Sequence, residues 1–163
     1  MKTVVLNQEE ISRICNRFAF QILENSTDSN IIHIVGIKEK GFEVAKLIKN
    51  ELKGISDKTI LLRSIKINKN SPKDSILSDL KSNEKIEMIF LIDDVLNTGK
   101  TLIYSLSFLL KFNFKSIKTL VLIDRNHKQF PVKVDYKGIS LSTNISDNIK
   151  LLADNTKLKA VLF

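Results

Sequence analysis

Cysteine occurs once in the 163 residues, so no disulfide can form within the chain. Histidine occurs twice, which with a single Cys is too little for a zinc site built from Cys and His. Two Pro, five Gly and no Trp exclude collagen-like, low-complexity and linker-rich chains. The apolar runs are short. Met88–Ile92 is typical of the longest and falls far below the ~20 residues that span a bilayer. Met1–Gln8 lacks the apolar core of a secretory signal. These absences predict a soluble, cytoplasmic protein forming one domain over residues 1–163.

What is present fits that expectation. Hydrophobic residues make up 43% of the chain, enough for a real core. Lys and Arg number 26 against 18 Asp and Glu, a formal charge of +8. A basic chain attracts phosphates, whether on nucleic acid or on a small ligand. The Lys residues are spread along the whole chain, as they also would be on an ordinary solvated surface.

Asn7 and Glu10 have the spacing of a helix capping pair. Ile11, Ile14, Cys15, Phe18, Ile22 and Leu23 follow at three- and four-residue intervals, predicting a helix with one buried stripe. Cys15 lies on that stripe as a packed thiol. The apolar run Ile31–Val35 ends at Gly36. A second helical pattern starts near Phe42, carries Val44, Ala45, Ile48 and Leu52, and is expected to stop at Gly54. Strands are predicted at Thr59–Ile67, Met88–Ile92 and Ser116–Ile123, with a helix from Thr101 to Lys111. Leu102, Leu106, Leu109 and Leu110 are among that helix's apolar positions. Strands alternating with helices give an α/β fold with a mostly parallel sheet, whose ligands bind at the carboxyl ends of the strands. Gly36–Gly41, Asp93–Thr101 and Asp124–Pro131 occupy those ends. Ser64–Lys85 is polar and weakly periodic, as in a lid over a site. From Val132 onwards, Val132–Val134, Ile149–Leu152 and Leu158–Leu162 read as small strands over one end of the sheet.

The chemistry concentrates in Phe90-Leu-Ile-Asp93-Asp94-Val95-Leu96-Asn97-Thr98-Gly99-Lys100-Thr101. An apolar strand delivers two adjacent carboxylates, and a small polar loop then opens into a helix. Backbone N–H groups at that helix start, with the Thr98 and Thr101 hydroxyls, form an anion cradle. Gly99 allows close approach of the backbone. The carboxylates suit hydroxyl groups, or a metal ion held through its water. A ligand with a phosphate at one end and vicinal hydroxyls beside it, a ribose 5-phosphate, matches both halves. Gly99-Lys100-Thr101 ends like a P-loop, but Asp94 stands where that motif needs Gly. The acidic pair of a phospho-acceptor receiver lies on the first strand, not here. Two carboxylates that merely cap the helix remain the bland alternative.

Ile92–Thr101 resembles the phosphoribosyl-diphosphate (PRPP) motif of the type I phosphoribosyltransferases. Val35-Gly36-Ile37-Lys38-Glu39-Lys40-Gly41 resembles the family's pyrophosphate loop. Leu122-Ile123-Asp124-Arg125-Asn126-His127-Lys128-Gln129-Phe130-Pro131 resembles the base-side loop of the subgroup that joins pyrimidine operon attenuation to uracil phosphoribosyltransferase activity. Val134–Gly138 and Ser142-Thr143 extend the similarity, which runs from about Ile11 to Thr143.

The resemblance implies a central sheet flanked by helices with a small hood. It implies transfer of ribose 5-phosphate from PRPP to uracil or a related pyrimidine, with Mg2+ as cofactor. By the same token Asp93 and Asp94 hold the ribose hydroxyls, directly or through metal-bound water. Val95, Leu96, Asn97, Thr98, Gly99, Lys100 and Thr101 hold the rest of PRPP. Lys38, Glu39, Lys40 and Gly41 hold the diphosphate, in a loop where the family places a non-proline cis peptide. Asp124, Arg125 and His127 stand on the base side. Relatives assemble as dimers or larger oligomers, and Phe108, Phe112 and Phe114 are candidates for such a surface, although core packing explains them too. Three departures stand out, one of them a lid shorter than in the relatives. Uracil-specific relatives carry Tyr-Arg-Asp-Asp where this chain has Leu61-Leu62-Arg63-Ser64-Ile65-Lys66, so Arg63 alone stands in as a catalytic candidate. Glu39 replaces a small polar residue. A regulator on the same fold that senses PRPP or nucleotide and binds RNA is the alternative expectation.

Overall fold

The structure, a computed structural model, describes residues 2–68, 70–71, 74–77, 84–154 and 157–163. In chain order its elements are β1 (Thr3–Leu6), α1 (Gln8–Glu24), β2 (Ile31–Ile37), α2 (Lys40–Ile55), β3 (Thr59–Lys66) and β4 (Ile76–Leu77). They continue with β5 (Ile86–Leu96), α3 (Lys100–Leu109), β6 (Phe114–Asp124), β7 (Tyr136–Ser140), β8 (Ile149–Asp154) and β9 (Lys157–Leu162). The main sheet has the order β4-β3-β2-β5-β6-β7, and every pairing in it is parallel except β3 with β4. A second, antiparallel sheet has the order β1-β9-β8. A mostly parallel central sheet with helices and a small second sheet is the arrangement that the resemblance implies.

The capping pair forms as predicted: Glu10 N–H donates to Asn7 Oδ1 (3.0 Å) and Asn7 N–H to Glu10 Oε2 (2.8 Å). The stripe of α1 from Ile11 to Ile22 is fully packed, Cys15 included. Desolvation, with Glu51 adding repulsion, pushes the Cys15 thiol up to about 12. Along β5, Phe90 and Ile92 enter one core cluster, and Ile89 and Leu91 enter the other. The central strand is therefore buried on both faces, as its unbroken apolar run required.

Several boundaries differ from expectation. α2 runs through Gly54 to Ile55, because nothing crowds or unwinds the chain there. β5 extends past Ile92 to Leu96, so Asp93 and Asp94 lie on a strand and not in a loop; β6 pairs with it as far as Leu96–Asp124. Leu110 caps α3 and is 74% exposed, outside the apolar face assigned to it. Val132–Val134 forms no strand. The segment joins the main sheet later, through β7, and the hood-like second sheet takes its third strand from the N-terminal β1. Of the lid expected at 64–85, Ser64–Lys66 belong to β3 and Ile76–Leu77 pair with it. Residues 69, 72–73 and 78–83 of that segment lie outside the described residues.

The sheet's connectivity fixes where a ligand can sit. From β2 the chain passes through α2 to β3 on one side, whereas β5 passes through α3 to β6 on the other. The last pair joining β2 to β5 is Gly36–Ile92, and beyond it each strand continues with its outer neighbour alone. A crevice at the carboxyl ends of two strands that diverge in this way is where open α/β sheets bind ligands.

Candidate functional site

At that crevice lies a cleft of about 350 Å³. One wall is the loop from β2 to α2, contributing Lys38, Glu39 and Lys40; the opposite wall is the end of β5, contributing Asp93, Asp94 and Val95. The Lys38–Glu39 peptide is cis. Lys38 N–H donates to Ile65 O at 2.8 Å, which ties this loop to β3. Lys38 and Glu39 are exposed and Asp94 half-buried, whereas Asp93 is only 8% exposed. Asp93 Oδ1 accepts the Asp94 N–H at 2.9 Å. Gly41 is absent from the lining and packs behind it. A Cβ there would stand 2.8 Å from both Asp93 Cα and Ile92 O. The helix that carries one wall thus touches the strand that carries the other.

Asn97, Thr98 and Thr101 complete the cleft floor. Beside it, a cavity of about 50 Å³ is lined by Leu96, Gly99 and Lys100 together with Asp93, Thr98 and Thr101 among others. Gly99 has φ +85°, a left-handed conformation that L side chains rarely adopt. Lys100 N–H donates to the Thr98 hydroxyl (3.2 Å), and the first bond into α3 runs from Ile103 N–H to Gly99 O (3.0 Å). The first-turn amides ahead of Ile103 therefore face a small polar cavity at the positive end of the helix. The start of a helix beside a polar cavity is a general kind of anion site.

Arg125 closes the far side of the cleft and is only 3% exposed. Its guanidinium donates to Asn97 Oδ1 (3.2 Å), twice to Thr143 Oγ1 (3.0 and 2.9 Å), and to Asn144 O (3.1 Å). Arg has no acceptor, so the Asn97 atom facing it is the carbonyl oxygen. Asn97, Thr98 and Arg125 also line a second cavity of about 400 Å³, shared with Asn126, His127 and Lys128. The loop around that cavity is tightly held. Gln129 and Phe130 N–H groups both donate to Thr98 O, at 2.8 and 3.1 Å, and His127 Nε2 meets Thr143 O. Asn126 takes the left-handed conformation, φ +59°, which Asn tolerates.

The profile of the phosphoribosyl transferase domain matches residues 3–154. The chain belongs to the phosphoribosyltransferase family. It is 32% identical over 158 residues to the bifunctional protein PyrR of Fusobacterium nucleatum, covering 91% of this chain and 89% of that one. With the PyrR protein of Haemophilus ducreyi it shares 27% over 164 residues, covering 95% and 92%. A hypoxanthine phosphoribosyltransferase from Staphylococcus aureus superposes with a TM-score of 0.72 at 20% identity, over 88% of this chain and 80% of that one. That likeness speaks for the fold alone.

The three predicted loops thus meet at one crevice, but besides Gly41 two further predicted residues line none of its three cavities. Arg63 does not line the cleft. It is buried on β3, donating to both Glu84 carboxylate oxygens (3.0 Å each) and to His33 Nδ1 (2.8 Å). Among the described residues its guanidinium is engaged in this internal cluster and not at the cleft. Burial, then Arg63 outweighing Glu84, pushes His33 below its ordinary 6.5 and keeps the ring neutral. Asp124 is buried beneath the second cavity, where it accepts from Asn126 N–H (3.1 Å) and from Lys128 Nζ (3.0 and 3.1 Å). Burial alone would raise its pKa. The Asn126 amide, Lys128 and Lys137 outweigh that and hold it below the ordinary 3.8. Asp124 therefore shapes the base-side loop from below. Thr143, quoted in the sequence only as an extension of similarity, turns out to anchor Arg125. Ile149 of β8 lines the cleft with no signal in the sequence beyond its place in a short apolar run.

Proposed function

We propose that the chain transfers ribose 5-phosphate from PRPP to uracil or a related pyrimidine and releases pyrophosphate. The observation that carries this reading is the convergence, on one crevice, of a basic loop, two carboxylates and a helix N-terminus. The 5-phosphate fits the cavity at Thr98–Thr101. The ribose hydroxyls then fall beside Asp93 and Asp94, which accept hydrogen bonds from them. The diphosphate meets Lys38 and Lys40 and the amides at the start of α2. With these groups seated, the base side of the sugar points toward Arg125 and the second cavity.

In the reaction the C1–O bond to diphosphate breaks, its electron pair leaves with pyrophosphate, and a ring nitrogen forms the new bond to C1 and releases its proton. Charge separates at C1, so Asp93 and Asp94 stabilise the cationic sugar electrostatically while the basic loop holds the anionic leaving group. Among the described residues no group of three or more His, Cys, Asp or Glu gathers to hold a metal. Two adjacent carboxylates with substrate phosphates nearby do fit Mg2+, which keeps waters and takes few protein ligands. Bound there, Mg2+ would neutralise charge on the departing diphosphate. Magnesium-dependent pyrophosphate release with PRPP and uracil, and its absence with adenine, is the expected outcome. No release with any base in a panel, from protein that binds PRPP, would overturn turnover.

The formal charge of +8 and the word "bifunctional" in the relatives' names favour a second, RNA-binding role beside the first. RNA affinity falling steeply with added salt would support it, and affinity flat in salt would not.

A further inference from the structure

The cavity beyond Arg125 has one feature the reaction has not used. Ile145 lines it and is 90% exposed, while the other seven lining side chains are all polar. Ile145 sits at the tip of a turn from Asn144 to Asp147. Asp147 N–H donates to Asn144 O (3.1 Å), and Asn144 N–H to Asp147 Oδ2 (2.8 Å). The second position of such a turn ordinarily carries Pro or a polar residue, and a β-branched aliphatic there gains nothing locally. Nor is the turn loose. Arg125 holds Thr143 and Asn144 on one side, and Asn148 and Phe163 exchange N–H···O bonds (3.2 and 2.9 Å) on the other. The backbone on both sides of Ile145 is thus fixed, and it presents an apolar side chain to a cavity whose other lining residues are polar.

We propose that Ile145 is a specificity-determining contact: the apolar surface against which the face of a planar nucleobase lies once its sugar phosphate is in the cleft. A heteroaromatic ring has polar edges and an apolar face, and Ile145 is the one wholly aliphatic side chain among the eight that line the cavity. Ile145 supplies that surface, and the ring in turn removes Ile145 from water. Arg125 acts here as a positioning residue, since four hydrogen bonds spend its donors on Asn97 and on the turn that presents Ile145. The inference rests on the phosphoribosyl reading of the cleft and adds to it the group that grips the ring.

Calorimetric titration with ribose 5-phosphate and with uridine 5′-monophosphate separates the two, because the ligands differ by the base alone. Ile145→Ser should weaken the monophosphate roughly five- to tenfold, from lost apolar burial, and leave ribose 5-phosphate unchanged. Ile145→Val, which keeps most of the surface, should bind the monophosphate within about twofold of the parent. An unchanged ratio of the two affinities in Ile145→Ser overturns the proposal. So does a parent protein that binds the monophosphate no more tightly than the sugar phosphate. If Ile145→Ser alters the sedimentation behaviour and not the ratio, Ile145 belongs to a contact between copies of the chain. Failure of the parent to bind ribose 5-phosphate at all sinks the cleft assignment itself, and the role of Ile145 with it.

Discussion

Replacing Gly41 by Ala tests whether the two walls of the cleft are mechanically joined. An added methyl would lie 2.8 Å from Asp93 Cα and from Ile92 O, and 3.0 Å from Asp93 Oδ1. Carbon–carbon contacts are comfortable at roughly 3.5–4.0 Å, so α2 or the end of β5 must shift by several tenths of an ångström or more. Overpacking of this kind costs about 1–3 kcal/mol, against which Ala recovers at most about 1 kcal/mol of helix propensity. With that recovery complete the net is a loss of up to about 2 kcal/mol, or a Tm lower by up to roughly 8 °C for a chain of this size. Gly54 is the internal control. It lies in the same helix with nothing within 4 Å of its virtual Cβ, so Gly54→Ala should raise Tm by roughly 1–4 °C. The functional consequence separates the pair further. A shift at Gly41 displaces Asp93 relative to Lys38–Lys40, and misplacement of that order weakens PRPP binding roughly tenfold to a hundredfold. Gly54→Ala leaves it unchanged. Thermal melts with calorimetric PRPP titration read both effects. A Gly41→Ala protein as stable as the parent, with undiminished affinity, would refute the claimed contact.

Other consequences are simpler to measure. Asp94→Asn removes a charged acceptor from the cleft without changing its shape; titration should show PRPP weakened roughly tenfold to a hundredfold, the worth of a charge-assisted bond. His33 titrates lower in the fold than its ordinary 6.5, so the unfolded chain binds the extra proton first. The stabilisation it gives is complete above pH 6.5 and is lost as pH falls toward its lowered value. Urea midpoints from pH 7.5 to 5 should therefore fall more for the parent than for His33→Gln, and equal slopes would contradict the assignment. Cys15, with its thiol raised to about 12 and fully buried, should resist a thiol reagent at pH 8 until denaturant is added.

Much of the architecture was legible because its signals are local. The stripe of α1 and its Asn7–Glu10 cap lie within one helix, and both form as spaced. The elements that escaped depend on partners far along the chain. The strand at Met88–Ile92 reads as ending where two carboxylates close the apolar run, yet β6 continues to Asp124 and gives Val95 and Leu96 a ladder to join. β7 shows little alternation. It lies at the sheet edge, close over β6 and α1: a Cβ at Gly138 would meet Leu122 O at 2.4 Å and Ile14 Cγ2 at 2.9 Å. No pattern within Tyr136–Ser140 announces that contact.

The site divides along the same line. The three loops could be found in the sequence because each follows directly from a buried strand, and a parallel sheet sends all such strand ends to one side. The role of an individual charge is set by whichever opposite charge reaches it. Arg63 occupies the position that suggests chemistry, but Glu84, 21 residues later, engages one terminal nitrogen of its guanidinium through both carboxylate oxygens, and His33 engages the other. Asp124 follows the same logic, its carboxylate engaged by Lys128 and Lys137. Asp93 and Asp94 differ because β5 outruns β2 at Gly36–Ile92, leaving both carboxylates on the cleft wall. Where a strand outlasts its neighbour, a charged side chain meets the ligand space; where it does not, the fold satisfies the charge internally. That difference in strand length, more than the identity of the motif residues, separates the carboxylates that line the cleft from the ions engaged within the fold.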